Sequence, residues 1–290
     1  MGGPSETLAV WGLGHIGASI VLAARQRGMA GTILGHDLDT ETATAMAAHL
    51  EPVSNPDVLQ QADLLILAVP PMALASCFER IAAWPRWPAV ISDVASIKEP
   101  VCRWAHAALG REALSCLVPA HPIAGNAGKG YAAACPDLFC RRPIVMTPQE
   151  TTSAQAVEQV CAFWTGLDAR PVFMDCCEHD RLLAALSHLP HAAAFALAGS
   201  TAGAARTWDA AVGPLPRSLQ EMLRVADSDP ELWAQIFLLN RQTLAAHLDG
   251  YIEALGALRT ALRQEKLATI ARWCADSHIG YGKAADRRDG

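Results

Sequence analysis

Three things are scarce in this 290-residue sequence, and each scarcity narrows what the protein is. Long, strongly apolar runs are missing: the most apolar stretch, HAAAFALAGSTAGAA, is mostly alanine and glycine and is expected to be too short and too weakly apolar to span a bilayer. A basic stripe is missing: the formal net charge is −6, the pI about 5.9, and Lys and Arg are scattered. That balance argues against a nucleic-acid or anionic-membrane partner. A cysteine framework is missing as well. The nine cysteines have no regular spacing, and the adjacent pair Cys176–Cys177 is not a CxxC, so a reduced, cytoplasmic protein is expected. The opening MGGPSETLAVWG has no basic segment ahead of its apolar one, which speaks against a signal peptide. What remains is 51% hydrophobic and 18% charged, an ordinary globular composition with length for one large or two medium domains.

The apolar residues of the first 175 positions come in short runs: 8–12, 32–36, 64–69, 89–94, 114–120, 143–147 and 170–174. Such runs read as strands covered on both faces, and helical patterns separate most of them. The alternation predicts an α/β Rossmann-type domain over residues 1–175, with a doubly wound parallel sheet. From residue 176 the strand signal stops, and an all-α domain is expected over 176–290. Its last long stretch, 230–262, opens on Asp229-Pro230-Glu231, a cap residue followed by proline and an early acid. Apolar residues from Leu232 to Leu262 then recur every three to five positions. A stripe of that length fits the core of the helical domain or the seam of a homodimer, and a homodimer through this domain is expected.

AVWGLGHIGASI carries Gly12, Gly14 and Gly17 as GxGxxG, directly after a strand and opening a helix. In that context the motif predicts a dinucleotide site. Gly12 allows the tight turn, Gly14 admits a pyrophosphate, and Gly17 lets the helix pack on the sheet. His15 and Ile16 lie inside the same turn, and Val69 and Pro70 end a later strand beside the same crevice. Asp37 stands 20 residues after Gly17 at the end of the second strand, the place of a ribose-binding acid. No Arg or Lys follows it in LDTETATAM to meet a 2′-phosphate, so NAD is expected rather than NADP.

Five further segments sit behind this loop: DVASIK (93–98), HPIAGNAGKG (121–130), DLFCRRPIVMTP (137–148), HDRLLAALSHLPH (179–191) and EMLRVADSDPELWAQIF (221–237). In this order they resemble the prephenate/arogenate dehydrogenase family, whose pattern runs roughly DVGSVK, HPxAGxExSG, LFxxxxxxLTP, HDxxxAxxSHLPH and TRxAxSDPxxW. The likeness extends from residue 8 to about 260. It implies an NAD-dependent oxidative decarboxylation of a cyclohexadienyl substrate. It further implies that His121 accepts the 4-hydroxyl proton, that Ser96 hydrogen-bonds this histidine and the hydroxyl, and that Arg224 clamps a carboxylate. His179 and His191 map onto active-site histidines of the family, and Lys129 is a further candidate cation. Pro190 is expected to supply the bend that brings the two histidines to one site. No acid or cysteine motif accompanies His188 and His191, so no metal is expected.

The sequence departs from the family at Ala127, where an acid is usual, at Ala95, and at RSLQE (217–221) before Arg224. These changes bear on substrate choice. Ser228 is neutral where some relatives preferring arogenate carry an acid, which favours prephenate, but Glu221, Asp227 and Asp229 are near. Arogenate and 4-amino-4-deoxyprephenate stay open. So do two other readings: a 3-hydroxyacid dehydrogenase or imine reductase type enzyme, and a catalytically silent NAD-binding protein.

Overall fold

The computed structural model describes residues 5–125 and 128–285, and its chain divides into two compact units after Asn240. Ala127, the departure noted above, lies outside the described residues. The strands are β1 (Ser5–Trp11), β2 (Ala30–His36), β3 (Glu51–Pro52), β4 (Leu64–Leu67), β5 (Val90–Asp93), β6 (Leu117–Val118), β7 (Ala120–Pro122), β8 (Pro143–Met146) and β9 (Arg170–Phe173). The helices between and after them are α1 (His15–Arg27), α2 (Thr40–Ala45), α3 (Leu74–Ala82), α4 (Glu99–Ala108), α5 (Arg111–Ser115) and α6 (Ala154–Gly166). Next come α7 (Cys176–Leu183), α8 (Leu189–Ala211), α9 (Arg217–Leu223) and α10 (Pro230–Leu239). The second unit holds α11 (Arg241–Arg263) and α12 (Leu267–Ala285).

β1 to β6 form one parallel sheet in the order β3-β2-β1-β4-β5-β6. This is the doubly wound arrangement the alternating sequence predicts, with the strand order reversing between β1 and β4. Pleating sends alternate residues to opposite faces. Leu8 and Val10 of β1, with Leu64 and Ile66 of β4, join one buried cluster that includes Ile20 and Trp164. Ala9, Trp11, Leu65 and Leu67 join the other, with Phe78 and Ile81 of α3. Both faces are covered, which explains why the strands read as unbroken apolar runs.

Two expectations change. The single run 114–120 is three elements: its start ends α5, Leu117–Val118 is β6, and Ala120 opens β7 after Pro119. Proline has no N–H to offer a ladder, and the chain leaves the large sheet there. β7 pairs antiparallel with β8 and β8 parallel with β9, a second three-stranded sheet. The helical stretch 230–262 also breaks, because Asn240 leaves helical geometry at φ −107°, ψ 26°. Its start is as read: the Asp229 side chain accepts from Glu231 N–H at 2.9 Å, with Pro230 in the first turn.

The apolar 176–211 region differs from expectation as well. α7, a π-helical turn (Ala184–His188) and α8 run together as one helix, Cys176–Ala211. By length and composition alone it is long and apolar enough to cross a membrane, with a window of mean hydropathy 1.4. Its first turns carry the buried polar pair His179 and Asp180, both tied by hydrogen bonds to other elements of the first unit.

Candidate active site

The turn after β1 is built by its glycines. Gly12 has φ +97°, and a Cβ there would stand 2.5 Å from the Ala68 carbonyl oxygen at the end of β4. A Cβ on Gly17 would lie 1.9 Å from the Gly12 carbonyl oxygen, so only glycine lets α1 approach its own turn. Around Gly14, by contrast, a Cβ would meet nothing within 4 Å. The turn therefore opens in front of the α1 N-terminus, where unpaired N–H groups and the helix dipole favour phosphate. His15 and Ile16 are half-buried beside it, and the buried Nε2 of His15 has no hydrogen-bond partner among the described residues. Val69 is half-buried and Pro70 exposed at the β4 exit. Asp37 accepts from Leu13 N–H at 2.6 Å and Asp39 N–H at 2.9 Å, one bond to each carboxylate oxygen. Each oxygen keeps a second acceptor site, so the carboxylate is held in place yet open to ribose hydroxyls. These residues fit a dinucleotide.

A second constellation forms where β5, β7 and α7 meet. Asp93 and Lys98 are both fully buried and ion-paired. Asp93 also accepts from Ala95 N–H at 2.9 Å and Ala120 N–H at 3.3 Å, and Lys98 Nζ donates to the Ala120 carbonyl at 2.6 Å. The residue before His121 is thus held by both its main-chain groups. His121 lies mid-β7 opposite Val145, and the residue is 9% exposed. His121 Nδ1 is 2.9 Å from His179 Nε2, and His179 Nδ1 is 2.7 Å from Asp180 Oδ1. Asp180 in turn accepts from Lys98 N–H at 2.8 Å and Glu99 N–H at 2.9 Å, capping α4. Burial holds His121 well below the usual histidine range, and the Lys98 charge adds to the lowering.

The wall of this region comes from α8 and α10. The His191 ring stacks on Trp233 with centroids 3.5 Å apart and donates from Nδ1 to the Ser187 carbonyl at 2.8 Å. Burial lowers its pKa, the Ser187 bond works against that, and the Arg224 charge adds to the lowering. His188 is buried edge-on to Trp233, and its Nδ1 accepts from Asn240 Nδ2 at 3.2 Å. Arg224 is exposed at the start of a 3-10 turn (Arg224–Asp227), with no ion-pair partner among the described residues. Lys129 faces Asp229 at 3.7 Å, and Arg217 pairs with Glu221 at 2.8 Å. Ser96 is half-buried in the β5–α4 loop without a hydrogen bond to His121. Pro190 lies in the first turn of α8, and the deviation between His179 and His191 is the π-helical turn instead. In the loop after β7, Cys135 N–H donates to Ser19 Oγ at 3.0 Å, which ties this loop to α1.

Two family models cover this chain, the prephenate dehydrogenase nucleotide-binding domain over residues 20–173 and the prephenate dehydrogenase dimerization domain over 175–276. The chain belongs to the prephenate dehydrogenase family. Among curated relatives, cyclohexadienyl dehydrogenase of Zymomonas mobilis is 32% identical over 89% of each chain. Prephenate dehydrogenase of Bacillus subtilis is 29% identical over 98% of this chain and 76% of its own. The structure of prephenate dehydrogenase from Aquifex aeolicus, solved with hydroxyphenyl propionate and NAD+, shares the fold at a TM-score of 0.85 and 22% identity, covering 96% of this chain and 98% of its own. Synechocystis arogenate dehydrogenase is 25% identical with a TM-score of 0.76, over 96% and 99% of the two chains.

In this prephenate dehydrogenase family member, sequence reasoning missed Asp93, Lys98, Asp180 and Asn240. A signal for the first two was present, since an acid and a lysine five apart straddle an apolar strand exit in DVASIK. Asn240 had none, because its partners, the Asp180 carbonyl at 2.8 Å and His188, are distant in sequence. The buried neutral histidines carry a consequence for stability. Burial lowers His188 to about 4 and also lowers His121, whereas the unfolded chain titrates near 6.5. Below 6.5 the unfolded state binds protons that the folded state refuses, so stability falls as pH falls from 6.5 toward 4. Urea midpoints across that range are expected to drop steadily, and a flat profile would show that these rings are not buried neutral.

Proposed function

We propose that this enzyme oxidatively decarboxylates prephenate to 4-hydroxyphenylpyruvate with NAD, in tyrosine biosynthesis. The observation that carries the reading is His121: a buried imidazole with Nδ1 engaged by His179 and Nε2 without a partner among the described residues. Its lowered pKa leaves it neutral at neutral pH, ready to accept a proton. The Gly12–Gly17 turn, the α1 N-terminus and Asp37 would hold NAD, with His15, Ile16, Val69 and Pro70 lining the crevice. NAD, when bound, supplies the acceptor for the hydride from C4. His121 takes the 4-hydroxyl proton as that C–H bond breaks, so the O–H electron pair becomes the carbonyl bond. The C1–carboxylate bond then breaks, its electron pair aromatises the ring onto the oxygen, and His121 returns the proton to it. Carbon dioxide leaves, and no net proton is gained or lost.

Arg224 offers a guanidinium fork to a substrate carboxylate, and His191 and Lys129 are the remaining polar contacts. His179, expected as a substrate contact, is fully buried with both ring nitrogens engaged and acts from behind His121. Ser96, on the loop after β5, hydrogen-bonds the hydroxyl. Prephenate is favoured over arogenate because Ser228 is neutral and two of the three nearby acids are engaged: Asp229 caps α10 and faces Lys129, and Glu221 pairs with Arg217. The enzyme works in the cytoplasm as a homodimer. Residues 1–175 bind the cofactor, and 176–290 contribute substrate contacts and the dimer seam. Ile252, Leu255 and Leu262 of α11 are 63%, 44% and 56% exposed, which suits a second copy.

The deciding experiment is NADH release with prephenate, arogenate and 4-amino-4-deoxyprephenate offered in parallel. Prephenate is expected to be turned over best, and no turnover on any of them would sink the proposal. For the cofactor, Asp37→Ser is expected to lower the NAD-to-NADP ratio of kcat/KM by about tenfold or more, ~1.4 kcal/mol. An unchanged ratio would remove Asp37 from the ribose site.

A further inference from the structure

The polar chain behind His121 has a direction. Main-chain N–H groups only donate, so both Asp180 oxygens act as acceptors, from Lys98 and Glu99 at the N-terminus of α4. That position favours an ionised carboxylate. A carboxylate facing His179 Nδ1 at 2.7 Å requires a proton on that nitrogen. A neutral His179 is then bare at Nε2 and accepts from His121 Nδ1–H at 2.9 Å. A neutral His121 with its proton on Nδ1 is bare at Nε2. Two histidines in series thus carry the tautomer set by one carboxylate. All three groups are buried, so water does not compete for these bonds. Asn240 braces the start of the chain by donating to the Asp180 carbonyl.

We infer that Asp180 is the positioning residue that fixes the tautomer of His121, acting through His179 and leaving Nε2 of His121 as the free base. This rests on the reaction proposed above for the role of Nε2, but the tautomers themselves do not depend on it. The oxygen that faces His179 also accepts from Lys98 N–H, so an asparagine could keep an oxygen there and leave the chain unchanged. Asp180→Ala removes the acceptor altogether. His179 Nδ1–H then loses its partner, and the tautomers of both rings are no longer set.

The test is histidine 15N spectroscopy on the full-length protein without substrate, joined to steady-state kinetics. Wild-type His121 is expected as the Nδ1–H tautomer. Asp180→Ala is expected to give mixed His121 tautomers and to lower kcat roughly tenfold or more with little change in the KM for prephenate. A wild-type His121 protonated at Nε2 overturns the inference at once, as does a folded Asp180→Ala chain that keeps a pure Nδ1–H tautomer. His179→Phe decides where Asp180→Ala fails to fold, because it leaves the α4 cap intact and cuts only the relay. It is expected to give mixed His121 tautomers and a loss of kcat of roughly tenfold or more, and a pure Nδ1–H signal there overturns the inference. Wild-type inactivity on every cyclohexadienyl substrate would sink the proposed reaction while leaving the relay standing.

Discussion

His121→Asn is expected to lower kcat by roughly 100-fold or more while the KM for prephenate changes much less. The asparagine keeps a polar side chain of similar reach, so the pocket keeps its shape, but it accepts no proton near neutral pH. The loss therefore belongs to the chemical step. The wild type supplies the complementary observation. Burial and the Lys98 charge hold His121 below the usual range, so its neutral, proton-accepting form persists below pH 6.5. The acid limb of kcat/KM is expected below 6.5 and is expected to vanish in His121→Asn. A variant that binds substrate poorly yet turns it over normally would show that another group is the base.

Asp93→Ala is expected to cost about 3–5 kcal/mol of folding stability, a large share of what a domain of this kind possesses. Lys98 is fully buried, and removing its partner strands an ammonium in the core with the Ala120 carbonyl as its one remaining acceptor among the described residues. Losing the Asp93 carboxylate also frees Ala95 N–H and Ala120 N–H, the second of which anchors the strand that carries His121. Urea unfolding reads the loss directly. The double variant Asp93→Ala/Lys98→Met is expected to recover part of it, since the stranded charge goes but the two main-chain donors stay unpaired. A midpoint like that of the wild type in the single variant would mean that the pair does not hold the site.

The cofactor half of the fold was open to reading because its determinants are local. A glycine needed at φ +97°, a helix starting three residues later and an acid at the end of the next strand all lie within the first 37 residues. The family motifs were legible for the same reason, each being a short run on one element. The second sheet was not. Residues 114–120 are apolar almost throughout, and a continuous apolar run does not reveal that the chain turns at Pro119 to pair with a strand 24 residues away. The break at Asn240 was hidden likewise, since the apolar spacing passes across it undisturbed.

The amino-acid sequence by itself determined the alternation of strands and helices and the dinucleotide turn, because periodicity and motif spacing are properties of the chain alone, and its resemblance to a family pointed to His121, His179 and Arg224. Only the tertiary structure decided how those groups are wired. That Asp180 caps one helix from another, that its neighbour His179 meets His121 across 58 positions, and that Asp93 and Lys98 bury their charges against Ala120 follow from packing that no local pattern encodes. A charge withdrawn from water must find its partner wherever the fold supplies one, and in this protein those partners come from separate elements.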